Sequence, residues 1–402
     1  MPQHGQSADV VVVGAGIIGL AAAWRARQRG MAVTVLEREV AGRAASHVAA
    51  GMLAPVAEVE FGEDARRGLA LGLRSAQMWP EFAAELQAAT GIDVGLTQTG
   101  TLLIARDADQ ARELQRQLAL RDSLGLKTRQ LRVSQARELE PALTSTLHSA
   151  LEVPGDHAVD PRRVLDALRE ACRASGVELH EHARVAYVES DRAGSRVTGV
   201  ALEDGWPIQA DRVLLAAGAW SGEIGGLPKR CAVPVRPVRG QILRLRDPAG
   251  AGLVHHVLRF EGGYLVPRPD GRYALGATVE ERGFALRTEL GGVYELLREA
   301  HLLVPGVGEL EIEELCVGLR PGTPDNLPAL GPGALAGLVW ATGHYRNGIL
   351  LAPLTAELVL SLLAGESSRD AELLSSCSPL RFAEERGQER RHATLSPPEV
   401  VT

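Results

Sequence analysis

Hydrophobic and polar positions change period several times along this chain, and each change marks an element. Residues 10–13 form an unbroken apolar run, as a strand buried on both faces requires. An Ala-rich helical stretch follows, then a second apolar run at 32–36. Helical periodicity with many charges covers 64–90 and 107–126. Between these stretches, 98–105 combines turn chemistry with β-rich apolar residues, which predicts a strand. Asp160-Pro161 predicts a helix start, with Asp160 as N-cap and Pro161 at the first helical position. That helix should end near Gly176 and lead into a strand at 177–181. A further strand is predicted at 212–216. From 230 to 246 the pattern alternates with period two, and 263–267 and 272–278 flank Pro269-Asp270-Gly271 as a hairpin. The apolar stretch 349–364 contains Pro353 and Glu357 and is too short to span a bilayer, so it reads as a buried amphipathic helix.

Strand–helix character thus dominates both ends and 155–228, whereas antiparallel character dominates 95–154 and 229–317. The predicted fold class is α/β (α+β overall). A Rossmann-like dinucleotide domain is assembled from 1–94, 155–228 and 318–376, and a mostly antiparallel β-sheet substrate domain from 95–154 and 229–317 is inserted into it. At 402 residues the chain is long enough for two cores. From Ser375 onward it turns rich in Arg, Glu, Ser and Pro, so 377–402 is expected to be a disordered tail. The net charge of −7 argues against nucleic acid or an anionic membrane as partner. Four separated cysteines (Cys172, Cys231, Cys316, Cys377) form no CxxC, so neither a zinc site nor a disulfide framework is expected. The first residues lack the basic and apolar regions of a secretory signal, and a soluble, cytoplasmic protein is expected.

The first apolar run leads directly into Gly14-Ala-Gly16-Ile-Ile-Gly19. Gly14 permits the tight turn, Gly16 lets backbone amides approach a pyrophosphate, and Gly19 lets the helix pack against the strand. The helix N-terminus offers free N–H groups and partial positive charge to a diphosphate. Glu37 ends the second strand, where it can accept from an adenosine ribose. The unit specifies a dinucleotide without separating FAD from NAD. GRAASHVAAGMLAP (42–55) and RVLLAAGAWS (212–221) are rich in small residues, which lets a flat ring system lie against backbone. GYLVPR (263–268), CVGLRPGTPDNLPALG (316–331) and the strand-to-helix turn GHYRNGILLAP (343–353) complete the set.

Taken in this order and spacing, these stretches resemble the D-amino-acid oxidase superfamily of FAD enzymes. Over residues 1–370 the resemblance is strongest to its glycine oxidases of thiazole (thiamine) biosynthesis. It implies non-covalent FAD, oxidation of a small amino acid to its imine by hydride transfer, and reoxidation by O2 to H2O2. Partners it implies are the amino acid, O2 and thiazole synthase, with a homo-oligomeric assembly. Arg320, placed in a Leu-Arg-Pro-Gly turn, matches the family's carboxylate-binding Arg, whose planar fork suits a carboxylate. Tyr264 matches a Tyr that hydrogen-bonds the same carboxylate. Arg346 and Met52 match residues beside substrate and ring. Implied FAD contacts are Gly14, Gly16, Ile17, Ile18, Gly19, Glu37, Arg38, Arg43, Ser46, Ala50, Gly51, Met52, Val185, Gly218 and Trp220, with His344, Tyr345, Arg346, Asn347, Gly348, Ile349 and Leu350. A helix starting near Asn347 would aim its N-terminus at the flavin. No side chain is assigned as acid or base, and no metal is implied.

Two places depart from the family pattern: Gly262 stands where a His is expected and Val279 where a Met is expected. Both remove bulk near the substrate, which would admit sarcosine, D-alanine or D-proline. Each assignment has a plainer alternative: Arg320 as a salt-bridged surface residue, Tyr264 and Met52 as core, Arg346 as an interface ion pair, and His47 and His344 as structural histidines. Cys316 reads as a buried, inert thiol, and His255-His256 as loop without a partner cluster. The competing functions are a D-amino-acid dehydrogenase using another electron acceptor, and a flavin-binding protein without turnover.

Overall fold

In the computed structural model, which describes residues 8–228, 232–250 and 252–383, the strand Ala8–Val13 is buried because it is flanked on both sides. It pairs in parallel with Val33–Leu36 and with Pro207–Leu215. Among the described residues this sheet has eight strands. Its main path runs 329–332, 338–342, 207–215, 8–13, 33–36, 178–180, and the hairpin 185–190/197–202 extends from 207–215. Helices Ile17–Gln28, Pro161–Ser175 and Ala352–Ala364 pack together on one face, joined by Glu63–Thr90. Their shared core includes Trp24 and Trp79, each meeting Phe82 edge-on.

A second sheet, eight-stranded among the described residues, draws on 101–153 and 236–322, in the order 311–322, 236–246, 272–276, 263–267, 257–260, 101–105, 149–153, 129–131. Every pairing in it is antiparallel except that of Val257–Phe260 with Thr101–Ala105, which joins the two chain segments in parallel. Helix Leu290–Leu303 covers one face. The strand Glu311–Gly322 runs across the border expected at 317/318.

Local chemistry places several boundaries as expected. Asp160 caps Pro161–Ser175 by accepting from the Arg162 N–H at 2.9 Å, and Gly176 closes that helix with φ 82°. The hairpin pairs Gly263–Pro267 with Arg272–Gly276. Four expectations need correction. The last long helix begins at Ala352, not near Asn347; residues before it are held as a turn, since Ser75 Oγ and Trp79 Nε1 both donate to the Leu350 carbonyl (2.7 and 2.9 Å). Arg320 lies within a strand, opposite Val238, and not in a turn. His255 and His256 do have a partner: the fully buried Glu140 accepts from both backbone amides and from His256 Nδ1. The tail is not disordered from 377, because Cys377 and Phe382 are buried and Arg381 pairs with Asp325 at 2.8 Å. Residues 384–402 lie outside the described residues.

Phe382 inserts into the core beneath the first sheet, with the Arg381 guanidinium over its ring at 4.0 Å. Phe382→Ala is therefore expected to lower unfolding free energy by about 3–5 kcal/mol in denaturant titration, as for other buried aromatic truncations. An unchanged midpoint would show that this segment contributes no packing.

Candidate active site

A cavity of about 630 Å³ opens between the two sheets and takes wall residues from both. This volume is typical of sites for organic ligands. One end is built by the glycine turn. Gly14 has φ 104°, and a Cβ there would meet the Ala216 carbonyl oxygen at 2.6 Å. Gly16 caps Ile17–Gln28 without any side-chain cap, so the helix N-terminus faces the cavity; the nearest atom to a Cβ would be Ser46 Oγ at 3.5 Å. Ser46 Oγ also accepts from the Ile17 N–H at 3.2 Å. Gly19 does not line the cavity. Its Cβ would lie 1.9 Å from the Gly14 carbonyl oxygen, so its part is close packing.

Glu37 is fixed at the far tip by accepting from the amides of Ala15 (2.8 Å) and Glu39 (3.1 Å). Beside it, the Arg38 guanidinium sits 3.5 Å over the Trp220 ring, which stacks on Phe284. Val185 and Gly218 complete the wall, together with Arg184 and Glu203. The groove therefore offers, in sequence, a carboxylate, an open helix N-terminus and a glycine floor, followed by the small-residue wall Ala49–Met52. That succession fits the ribose, pyrophosphate and ring system of FAD.

At the opposite end the wall includes Ala50, Gly51, Met52, Tyr264, Arg320, His344, Tyr345, Arg346, Gly348 and Ile349. Arg43, Asn347 and Leu350 lie outside it. Arg43 bonds His47 Nε2 at 3.1 Å, and Leu350 serves the core contacts above. Arg320 donates through Nη1 to the carbonyls of Thr278 (3.0 Å) and Arg239 (3.3 Å), and among the described residues it pairs with no carboxylate. The adjacent Arg239 is the opposite case: 1% exposed and paired with both Glu280 and Glu289. Burial raises the Tyr264 phenol above its usual range, keeping it a hydrogen-bond donor.

Four residues carry no signal in the sequence. Gly240 makes room for the charge, since a Cβ there would fall 2.4 Å from Arg320 Nη1. Arg259 and Glu58 form an ion pair on the cavity wall at 3.0 Å. Glu60 pairs with Arg346 at 2.9 Å, so Arg346 both lines the cavity and is neutralised. Gly240 is traceable only through the pairing of 236–246 with 311–322, and Glu58 only through a contact spanning two hundred residues. Gly262 and Val279 both line the cavity; space beside Gly262 is open, and Val279 is 62% exposed.

Burial pushes His344 down to about 3 and His47 down to about 4, so both rings are neutral at physiological pH. Cys316 is buried and outside the cavity wall, and burial followed by Glu314 raises its thiol, which keeps it protonated. Among the described residues no cluster of potential metal ligands occurs, and no helix is long and apolar enough to cross a membrane.

This fold and groove define a flavin-dependent oxidoreductase. The chain matches the FAD dependent oxidoreductase family over residues 9–362, and it belongs to that family. Glycine oxidase from Geobacillus kaustophilus is 36% identical over 360 residues, covering 88% of this chain and 92% of that one. Its crystal structure superposes with a TM-score of 0.84, at 34% identity, covering 92% and 98% of the two chains. The bifunctional protein ThiO/ThiG of Synechocystis sp. is 38% identical over 383 residues, covering 94% of this chain and 54% of that one. The chain thus spans about half the length of these fused relatives.

His344 gives a test of the buried environment. Its ring stays neutral in the fold down to about pH 3, whereas in the unfolded chain it takes up a proton near pH 6.5. Stability therefore falls as pH drops through that interval, by about 1.4 kcal/mol per pH unit from this one group. His344→Gln should flatten the acid side of the stability curve between pH 6 and 4 by roughly that slope. An identical pH dependence in the variant would show that His344 is already protonated in the fold.

Proposed function

We propose that the chain oxidises glycine or a similarly small amino acid (sarcosine, small D-amino acids) to its imine, with O2 reduced to H2O2, and that the imine feeds thiazole synthesis in thiamine biosynthesis. The observation carrying this reading is the unneutralised guanidinium of Arg320 beside the Tyr264 phenol, at the cavity end next to Ala50–Met52. The glycine oxidase relatives support the substrate class, and the fused ThiO/ThiG relatives support the link to thiazole formation. Bound FAD supplies the two-electron oxidant and passes the electrons to oxygen.

The chain's own residues supply position. Arg320 binds the substrate carboxylate through its fork, and Tyr264 donates a further hydrogen bond to it. Anchored there, the α-carbon would face the Ala50–Met52 wall, whose small residues would hold the ring system. The neutral ring of His344 on the cavity wall adds no charge to repel a substrate ammonium. Met52 and Ile349 exclude water by filling the walls with apolar surface.

Peroxide release from the FAD-loaded protein across glycine, sarcosine, D-alanine, D-proline and L-alanine tests the reading. Glycine or sarcosine should rank first. Silence with every amine, joined to turnover with a dye acceptor, would replace the oxidase by a dehydrogenase. Arg320→Ala should retain FAD and raise the apparent KM about ten- to a hundredfold, about 1.5–3 kcal/mol for a lost charge-assisted pair. An unchanged KM would remove Arg320 from the substrate. Val279→Met, which restores bulk, should reduce kcat/KM for sarcosine relative to glycine by about tenfold. Equal losses for both amines would show that position 279 does not sense the N-methyl group.

A further inference from the structure

Two buried arginines stand directly behind the wall that faces the flavin, and the chemistry above does not use them. Arg244 lies on the strand Arg236–Arg246, and Arg268 ends the GYLVPR run. Each is 8% exposed, and neither lines the cavity. Arg244 Nη2 donates to the carbonyls of His47 (3.2 Å), Val48 (2.9 Å) and Ala49 (2.8 Å). Arg268 Nη2 donates to the next carbonyl, that of Ala50. Four successive carbonyls, those of residues 47–50, are therefore turned toward guanidinium groups.

Because a trans peptide is planar, with its N–H directed opposite its C=O, this holds the amides of Ala50 and Gly51 toward the cavity side. Among the described residues neither arginine has a carboxylate within ion-pair distance, and Arg244 Nε and Arg268 Nη1 are buried without any partner. Asp160 is the nearby acid whose field reaches both, and its side chain is engaged in capping its own helix. Burial lowers both guanidinium groups, Arg268 to about 10, which leaves them charged at neutral pH.

Two buried cations without counter-ions are costly to fold around, so their position directly behind the Ala49–Gly51 wall of the cavity calls for a use. We propose that Arg244 and Arg268 form a cationic clamp that fixes the amides of Ala50 and Gly51 and raises the reduction potential of the bound flavin. Uptake of two electrons and one proton leaves one negative charge on the flavin. Fixed positive charge and oriented amides behind the ring favour that form. Both are positioning residues: they act through the wall without touching the substrate.

The test is the midpoint potential of the FAD-loaded enzyme, measured spectroelectrochemically without any amine. It relies only on FAD binding, so its outcome is independent of which amine is oxidised. Arg268→Met and Arg244→Met should each shift the reduction equilibrium toward oxidised flavin by about tenfold, or about 30 mV for a two-electron couple. Arg268→Lys and Arg244→Lys, which keep the charge, should stay within threefold of the parent. Should a Met variant fail to hold FAD, Arg268→Gln and Arg244→Gln decide, because an amide can still hold a carbonyl without the charge; they should match the tenfold shift. Neutral variants that bind FAD at the parental potential would overturn the proposal, as would Lys variants that fall as far as the neutral ones.

Discussion

A single unneutralised guanidinium, that of Arg320, sets the terms for the substrate end of this molecule. A charge drawn toward a protein interior needs an opposite charge or good hydrogen-bond acceptors. Arg320 has acceptors only: two backbone carbonyls, that of Arg239 on the paired strand and that of Thr278 just beyond the strand Arg272–Gly276. Gly240 keeps the space beside it free of a side chain. The acidic residues of the neighbourhood are committed elsewhere, Glu280 and Glu289 to Arg239, Glu58 to Arg259, and Glu60 to Arg346. Among the described residues, Arg320 is thus the cation without a carboxylate partner at this end of the cavity wall, next to a phenol, and its natural complement is a small carboxylate.

The position of that cation follows from the sheets. Arg320 is carried on a strand of the second sheet, while the glycine turn that receives a diphosphate belongs to the first. The cavity lies where the two meet, so one end of a dinucleotide and the substrate anchor are supplied by separate cores. The 44–52 segment connects them: Ser46 bonds the helix that opens the first sheet, and the carbonyls of 47–50 bond arginines of the second. Disturbing either core therefore moves the wall against which the ring system lies.

Features that depend on neighbouring residues were legible in the sequence. The strand–glycine–helix unit, the Asp160 cap, the Gly176 stop and the Pro269-Asp270-Gly271 hairpin all rest on short-range geometry that residue type dictates. Features set by distant contacts were not. The helix after Tyr345 begins late because Ser75 and Trp79, from a helix nearly three hundred residues away, capture the Leu350 carbonyl. The polar composition of the tail concealed Phe382, one aromatic whose burial is decided by a pocket in the first sheet. Glu58, Arg259 and Gly240 carry no motif, and only strand register and loop packing bring them to the cavity.

The most direct test of Arg320 as carboxylate anchor uses a ligand that cannot be oxidised. Acetate titrated into the FAD-loaded protein should perturb the flavin absorbance saturably, and Arg320→Met should abolish that response while leaving the flavin bound. Acetate that leaves the spectrum unchanged, or that binds the variant as tightly as the parent, would contradict the assignment of this cation to the substrate.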